Sequence, residues 1–194
     1  MSNKQIWFIT GAGRGLGIEI AKAALAAGHA VVATGRDAQK VSAALGDHED
    51  LLCLQLDVTR IEDAQAATAA AIARFGRIDV LHNNVGLPAM GTMETLNEGE
   101  WDHAMDVNLK SVFLTSQAVL PVMVRQGKGA IVNISSLAAI RYTGYPYPAY
   151  YASKAAVNLM SKSLAVELGR DGIRVNAICP VLGETALLSD FMGM

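Results

Sequence analysis

Ile6-Trp7-Phe8-Ile9-Thr10-Gly11-Ala12-Gly13-Arg14-Gly15-Leu16-Gly17 is the stretch from which the fold is read. A short apolar run enters a glycine-rich turn and leaves it into an Ala-rich segment of helical period. Strand, turn and helix follow in that order. Gly11 permits the sharp exit from the strand. Gly15 lets a pyrophosphate approach the backbone. Gly17 lets the helix pack close to the sheet. The N-terminus of the helix then turns its free N–H groups toward the anion. Gly11-Ala12-Gly13 mimics the start of a Gly-x-Gly-x-x-Gly turn, although the later spacing differs from it. The position after the first strand favours a dinucleotide loop over a plain turn.

Further along, short apolar runs alternate with longer helical stretches. Strands are expected near 6–10, 30–34, 51–56, 80–82, 130–134 and 175–178. Helices are expected near 15–27, 38–45, 61–75, 101–126 and 150–169. Such alternation predicts an α/β chain with a Rossmann-like, doubly wound parallel sheet and helices on both faces. Gly/Pro-rich loops at 86–91 and 142–148 follow strands. In an open α/β sheet such loops border the ligand crevice at the carboxyl strand ends. No linker or repeat divides the 194 residues, and one dinucleotide-binding domain over 1–194 is expected.

The second strand ends in Gly35-Arg36-Asp37. An acid at its tip would bind the ribose hydroxyls of NAD. Glycine stands there instead, and Arg36 follows, with Arg14 in the first loop. Two guanidiniums can hold a 2′-phosphate in bidentate contacts. NADP is therefore the preferred cofactor, with NAD possible. The alternative makes Arg36 a solvated charge and Asp37 a helix cap.

Net charge is −2 and 52% of residues are apolar, with no basic stripe. A nucleic-acid footprint is absent. The two cysteines, Cys53 and Cys179, form no ligand cluster, and the four histidines show no metal-ligand spacing. No metal is expected. The N-terminus does not read as a signal peptide, and no apolar run is read as a membrane span. A soluble, cytoplasmic protein with no membrane partner is the expectation.

Tyr150-Tyr151-Ala152-Ser153-Lys154 places a phenol and an ammonium at i and i+4, on one helix face. That arrangement can make a tyrosine acidic enough for proton transfer near neutral pH. Tyr151 lacks a lysine at i+4; its partner position is Ala155.

Taken together these motifs resemble the short-chain dehydrogenase/reductase family over essentially the whole chain. The matching pieces are the glycine loop, Leu56-Asp57-Val58, Asn83-Asn84-Val85-Gly86, Asn108, Asn133-Ile134-Ser135-Ser136, Tyr150 with Lys154, and Arg174-Val175-Asn176-Ala177-Ile178-Cys179-Pro180 with Thr185. The resemblance implies an NAD(P)-dependent oxidoreductase that moves hydride between nicotinamide C4 and a secondary alcohol or ketone. It implies that Asn108, Ser136, Tyr150 and Lys154 form the catalytic tetrad. Cofactor contacts would come from Gly11, Arg14, Gly15, Leu16, Gly17, Arg36, Asp57, Val58, Asn84, Gly86, Tyr150, Lys154, Pro180 and Thr185.

In that chemistry Tyr150 is the general acid, or the base in the oxidation direction. A free tyrosine titrates near 10, about three units too high for a neutral-pH base. Lys154 and the positive nicotinamide would favour the phenolate, a preference of roughly 3–4 kcal/mol. Lys154 would also bind the nicotinamide ribose. Ser136 would donate to the substrate oxygen, and Asn108 would hold a water beside Lys154.

The family pattern is varied at Val85, where Ala is commoner, and at Val181, where Gly is usual. Ser136 and Tyr150 stand one residue further apart than the pattern, and the loop 142–148 is expected to absorb the extra residue beside the substrate. The chain is also short at its C-terminal end. The expectation is a sheet lacking the family's usual last strand and a substrate lobe cut off after about 185. A non-catalytic dinucleotide-binding protein, or an inactive fragment, is the alternative reading, and epimerisation or dehydration a further one. The family commonly forms a homodimer or homotetramer through the two long helices.

Overall fold

The computed structural model describes residues 4–181. Within them six strands form one sheet: β1 (Ile6–Ile9), β2 (Ala30–Gly35), β3 (Leu51–Gln55), β4 (Val80–Asn83), β5 (Gly129–Ile134) and β6 (Ile173–Ile178). Every pairing is parallel, in the order β3-β2-β1-β4-β5-β6. The order reverses between β1 and β4, and such a switch point opens a crevice at the carboxyl strand ends. The residues after 181, on which the expected loss of a last strand and the assignment of Thr185 rest, lie outside the described residues.

Register explains the core. Leu52, Val32, Phe8, Leu81, Ile131 and Val175 form one row across the sheet, all pointing to the same face. They meet apolar side chains of α3 (Ile61–Phe75), α5 (Ser111–Gln126) and α6 (Pro148–Leu168). The alternate row, from Ala33 through Ile9, packs against α1 (Leu16–Ala26) and α2 (Ala38–Leu45). Helices thus cover both faces. Small residues on α1, Gly17, Ala21 and Ala24, let that helix lie close to the sheet.

Two helix starts differ from the expected ones for local reasons. The helix expected from 101 begins at Glu98 as α4 (Glu98–Met105), because Asn97 and Glu100 form a reciprocal capping box. The helix expected from 150 begins at Pro148, whose fixed φ and missing N–H suit a first turn. Between α4 and α5 the backbone widens into a π-turn over Asp106–Lys110, with Asn108 at its centre.

The sequence reading found no run apolar enough for a membrane, and the structure corrects this. The continuous helix Glu98–Gln126 has a segment of mean hydropathy 1.3, enough by length and composition. Its apolar residues Val112, Val119, Val122 and Met123 are buried in the protein core.

Candidate active site

A cleft of about 1340 Å³ runs along the carboxyl ends of the strands. One end is made by the glycine loop. Gly11 and Gly15 have φ of 67° and 56°, values that L side chains rarely adopt. A Cβ on Gly17 would stand 2.2 Å from the Gly11 carbonyl oxygen. The loop is held from below: Asn84 Nδ2 donates to the Thr10 and Gly11 carbonyls at 3.2 Å, and the Asn84 N–H donates to Thr10 Oγ1 at 3.0 Å. No side chain caps α1, so its first N–H groups open toward the cleft. By contrast Asp37 caps α2, accepting from the Gln39 and Lys40 N–H groups at 3.0 and 3.1 Å. The capping half of the alternative for Arg36-Asp37 is therefore present.

Arg14, Leu16, Arg36, Asp57, Val58, Asn84 and Gly86 line this cleft, as do Gly11, Gly15 and Pro180. Gly17 braces the loop from behind. Asp57 Oδ1 accepts from both the N–H and the hydroxyl of Thr59, at 3.0 and 2.7 Å. Those bonds hold its carboxyl below the ordinary range, with Arg36 and Arg60 acting in the same sense. At the tip of β2 a Cβ on Gly35 would meet Val41 Cγ2 at 2.8 Å. Val41 fills the place of the absent acid, a role that the sequence did not disclose.

At the other end, β5 runs into Ser135 and Ser136, and α6 presents Tyr150 and Lys154. The Tyr150 phenol bonds the Ser136 hydroxyl. Lys154 is 2% exposed and donates to the Ile134 carbonyl at 2.8 Å. Its ammonium lies 5.8 Å from the Tyr150 ring centre. A Cβ on Gly86 would meet Lys154 Nζ at 3.1 Å, so a larger residue there would press on the ammonium. Ser136, Tyr150 and Lys154 thus converge as expected.

The expected lowering of the Tyr150 pKa needs the positive nicotinamide as well as Lys154; without a cofactor, burial sets the direction. Burial raises the phenol above the ordinary tyrosine range, and the Ser136 hydrogen bond only opposes this. Burial also pulls Lys154 down to about 8, with Cys179 acting in the opposite sense. The ammonium donates to the Ile134 carbonyl and lies 5.8 Å from the centre of the Tyr150 ring. In this state Tyr150 is a neutral proton donor.

Asn108 is fully buried. Its Oδ1 accepts from the Leu87 N–H at 2.8 Å, and its Nδ2 donates to the Leu87 carbonyl at 3.0 Å and to Ser153 Oγ at 3.2 Å. Ser153 in turn donates to the Tyr150 carbonyl at 2.9 Å. Asn108 therefore ties the 86–91 loop to α6. The π-turn that carries it is a frequent feature of functional sites.

Neighbouring tyrosines divide the work. Tyr151 accepts from the Thr143 N–H at 2.9 Å and donates to the Tyr145 carbonyl at 3.2 Å. Thr143 Oγ1 also lies 2.7 Å from the Tyr147 hydroxyl. Tyr147 stacks on Tyr151 at 4.9 Å and meets Tyr150 edge-on at 5.4 Å. The tyrosine-rich loop was legible as a pocket element, but this clamp was not. Arg141, Tyr142 and His103 also line the catalytic end. Cys53 and Cys179 are free thiols, and no cluster of three or more metal-ligating side chains occurs among the described residues.

A family model described as short chain dehydrogenase matches residues 5–192. The 4-formylbenzenesulfonate dehydrogenase of Comamonas testosteroni is 37% identical over 201 residues, covering 99% of this chain and 78% of its own. The crystal structure of a 3-ketoacyl-(acyl-carrier-protein) reductase from Brucella melitensis complexed with NADH is 34% identical, with a TM-score of 0.90 over 98% of this chain and 81% of that one. An actinorhodin polyketide ketoreductase with NADPH is 31% identical, with a TM-score of 0.93 over 98% and 75% of the two chains.

Proposed function

The chain belongs to the short chain dehydrogenase family, an oxidoreductase family that uses NAD(P), and on that premise we propose that Tyr150, Ser136, Lys154 and Asn108 carry out carbonyl–alcohol interconversion in this cleft. One observation carries the reading: the Tyr150–Ser136 pair and the buried Lys154 stand in the same cleft as a glycine loop that only glycine can form. The residues present fit a dinucleotide. The uncapped N-terminus of α1 suits its pyrophosphate. Asp57 and Val58 suit its adenine, and Lys154 with Pro180 its nicotinamide end; Thr185 belongs to the same proposal. When bound, the nicotinamide gives or takes the hydride.

Ser136 Oγ accepts from the Ala138 N–H at 3.1 Å, and its proton, shared with the Tyr150 phenol in this state, turns to the substrate oxygen when one is bound. As negative charge grows on that oxygen, Ser136 and Tyr150 stabilise it, and Tyr150 delivers the proton. Lys154, over the Tyr150 ring, would hold the cofactor ribose. Asn108 and Ser153 fix the first turn of α6, so the phenol stays aimed. In the oxidation direction the same phenol must first lose its proton. Its raised pKa means that oxidation rises with pH, whereas reduction proceeds from the neutral phenol at pH 7.

NADP is the favoured cofactor. Arg36 and Arg14 line the cleft, and Val41 occupies the place of a ribose-reading acid. Outward apolar residues on the long helices, Phe113 and Val124 on α5 and Leu159 and Val166 on α6, support a homodimer or homotetramer built through them. Light scattering on the purified protein tests this; a monomer at micromolar concentration refutes it.

The catalytic assignment is tested with Tyr150→Phe. NADPH-dependent reduction of an accepted ketone falls by about 10³-fold, within the range of general acid catalysis. NADPH affinity, read by fluorescence, stays within a few-fold. Turnover near that of the unaltered protein would remove Tyr150 from the chemistry.

A further inference from the structure

The catalytic end of the cleft contains more than the tetrad explains. Its outer wall is the loop between Leu137–Ala139 and α6, and that loop is built rigidly. Thr143 is bonded by two phenols, Tyr147 and Tyr151, at 2.7 and 2.9 Å. Tyr147 is 4% exposed and is gripped between the Tyr151 face and the Tyr150 edge. Tyr142 leans on Tyr151 at 5.7 Å and keeps 68% of its surface open. The wall is therefore aromatic, and it is fixed before any ligand arrives.

Arg141 stands on the same loop and lines the same cleft. Its backbone N–H bonds the Leu137 carbonyl at 3.2 Å, which anchors the residue in a turn. Its guanidinium has no hydrogen-bond or ion-pair partner among the described residues. The other charged groups at this end are accounted for. Asp106 is paired with Lys110 at 3.1 Å, and Lys154 is held by the Ile134 carbonyl. His103 adds a donor rather than an anion. Leu87 and Val107 add apolar lining to the same cleft, beside His103 and the paired Asp106.

Among the described residues, an aromatic wall, apolar lining from Leu87 and Val107, and the unpaired guanidinium of Arg141 make a composite site. Rings pack on aromatic faces, and a guanidinium binds carboxylate or sulfonate in bidentate fashion. Resting on the oxidoreductase reading above, we propose that the substrate is an aromatic carbonyl compound, or its alcohol, bearing an anionic group on the ring. The carbonyl meets Tyr150 and Ser136, the ring lies against the open Tyr142, which Tyr151 and the buried Tyr147 support from behind, and Arg141 binds the anion.

The test is a matched panel with NADPH: 4-acetylbenzoate, 4-acetylbenzenesulfonate, the neutral isostere 4-acetylbenzamide, and the ring-free anion 4-oxopentanoate. At least one aromatic anion shows kcat/KM tenfold or more above both the amide and the ring-free anion. In Arg141→Met the loss on that anion exceeds the loss on the amide at least tenfold, and Arg141→Lys recovers part of it, since charge remains without the planar fork. A second readout needs no turnover: benzoate binding to the protein loaded with NADP, followed by tyrosine fluorescence, weakens at least tenfold in Arg141→Met. Circular dichroism confirms that each variant is folded. Use of the amide as readily as the anions, or benzoate binding indifferent to Arg141, overturns the subsite and leaves the oxidoreductase reading standing. Cofactor binding without turnover of any carbonyl compound overturns that reading, and the substrate assignment falls with it.

Discussion

The two ends of the cleft are made of different materials. The phosphate end is backbone: left-handed glycines, a helix terminus without a cap, and Asn84 bonding the Thr10 and Gly11 carbonyls from beneath. The catalytic end is side chain: Asn108, Ser153 and Lys154 are all at most 2% exposed and linked to one another's elements by hydrogen bonds. A backbone site fails when atoms are added, and a side-chain site fails when they are removed. Each end also contains one buried base held below its ordinary pKa, Lys154 at the catalytic end and His82 beneath the glycine loop. The two differ in purpose, which makes the contrast testable.

Lys154→Met gives the largest effect. The buried ammonium is disfavoured by burial, from an ordinary 10.5 to about 8. The unfolded chain therefore binds more protons than the folded one between pH 8 and 10.5, and stability rises with pH across that window. Below pH 8 the full penalty, of order 3 kcal/mol, is present. Replacement by Met removes it but leaves the Ile134 carbonyl without its donor, at about 1–3 kcal/mol. The net gain is about 1 kcal/mol, or a Tm higher by about 2–4 °C at pH 7. Reductase activity falls by about 10³-fold at the same time. A variant that loses both activity and stability would mean that the lysine supports the fold and that its charge is not strained.

His82 gives the matching case without a catalytic role. Its ring is 4% exposed, its Nδ1 has no partner among the described residues, and burial holds its pKa near 4. The unfolded chain takes up this proton between about pH 6.5 and 4 while the folded chain does not. Stability therefore falls as pH drops through that window, by up to about 3 kcal/mol. His82→Leu removes that share of the acid sensitivity while leaving the His82 backbone carbonyl to accept from the Thr10 N–H at 3.0 Å. Urea unfolding at pH 7 and pH 4.5 measures it. An unchanged pH slope would show that the ring finds a proton partner in solution.

Gly17→Ala probes the backbone end alone. The added methyl stands 2.2 Å from the Gly11 oxygen and 2.8 Å from Asn84 Nδ2, and neither can withdraw freely. Overpacking of this kind is expected to lower stability by about 1–3 kcal/mol. NADPH affinity falls at least about tenfold, since the loop and the helix terminus part company. Calorimetry and fluorescence titration report the two losses, and tight NADPH binding in this variant would show that the loop's shape is not what holds the phosphates.

The same contrast explains what could be read from the sequence. Glycines whose backbone no other residue can adopt leave a signature in residue type and spacing, so the phosphate end and the parallel sheet were legible. Tyr150 and Lys154 were legible because i and i+4 are neighbours on a helix whatever surrounds it. Asn108 was legible through the family resemblance alone; the structure shows a π-turn and three bonds to Leu87 and Ser153. The rise that burial gives the Tyr150 phenol before a cofactor binds was not legible, because helical proximity says nothing of burial. Thr143, Tyr147 and Val41 were missed because their roles depend on contacts made only when loop and helix, or helix and strand, are packed.

Arg36→Ala has the smallest expected effect and asks what the adenosine rim reads. Arg36 lines the cleft and is solvent-exposed, so its contact with a 2′-phosphate is worth less than a buried charge-assisted bond. About 1.4 kcal/mol, a tenfold fall in kcat/KM for NADPH, is expected, with kcat/KM for NADH nearly unchanged. Equal losses with both cofactors would mean that Arg36 shapes the rim through Asp57, whose carboxyl it helps to keep ionised, and does not read the phosphate. The reverse exchange needs two changes. Gly35→Asp alone drives its Cβ to within 2.8 Å of Val41 Cγ2, so an acid there can turn toward a ribose only when Val41→Ala makes room. If the single variant already favours NADH, the valine is softer than its burial implies, and the backbone end is less rigid than its glycines indicate.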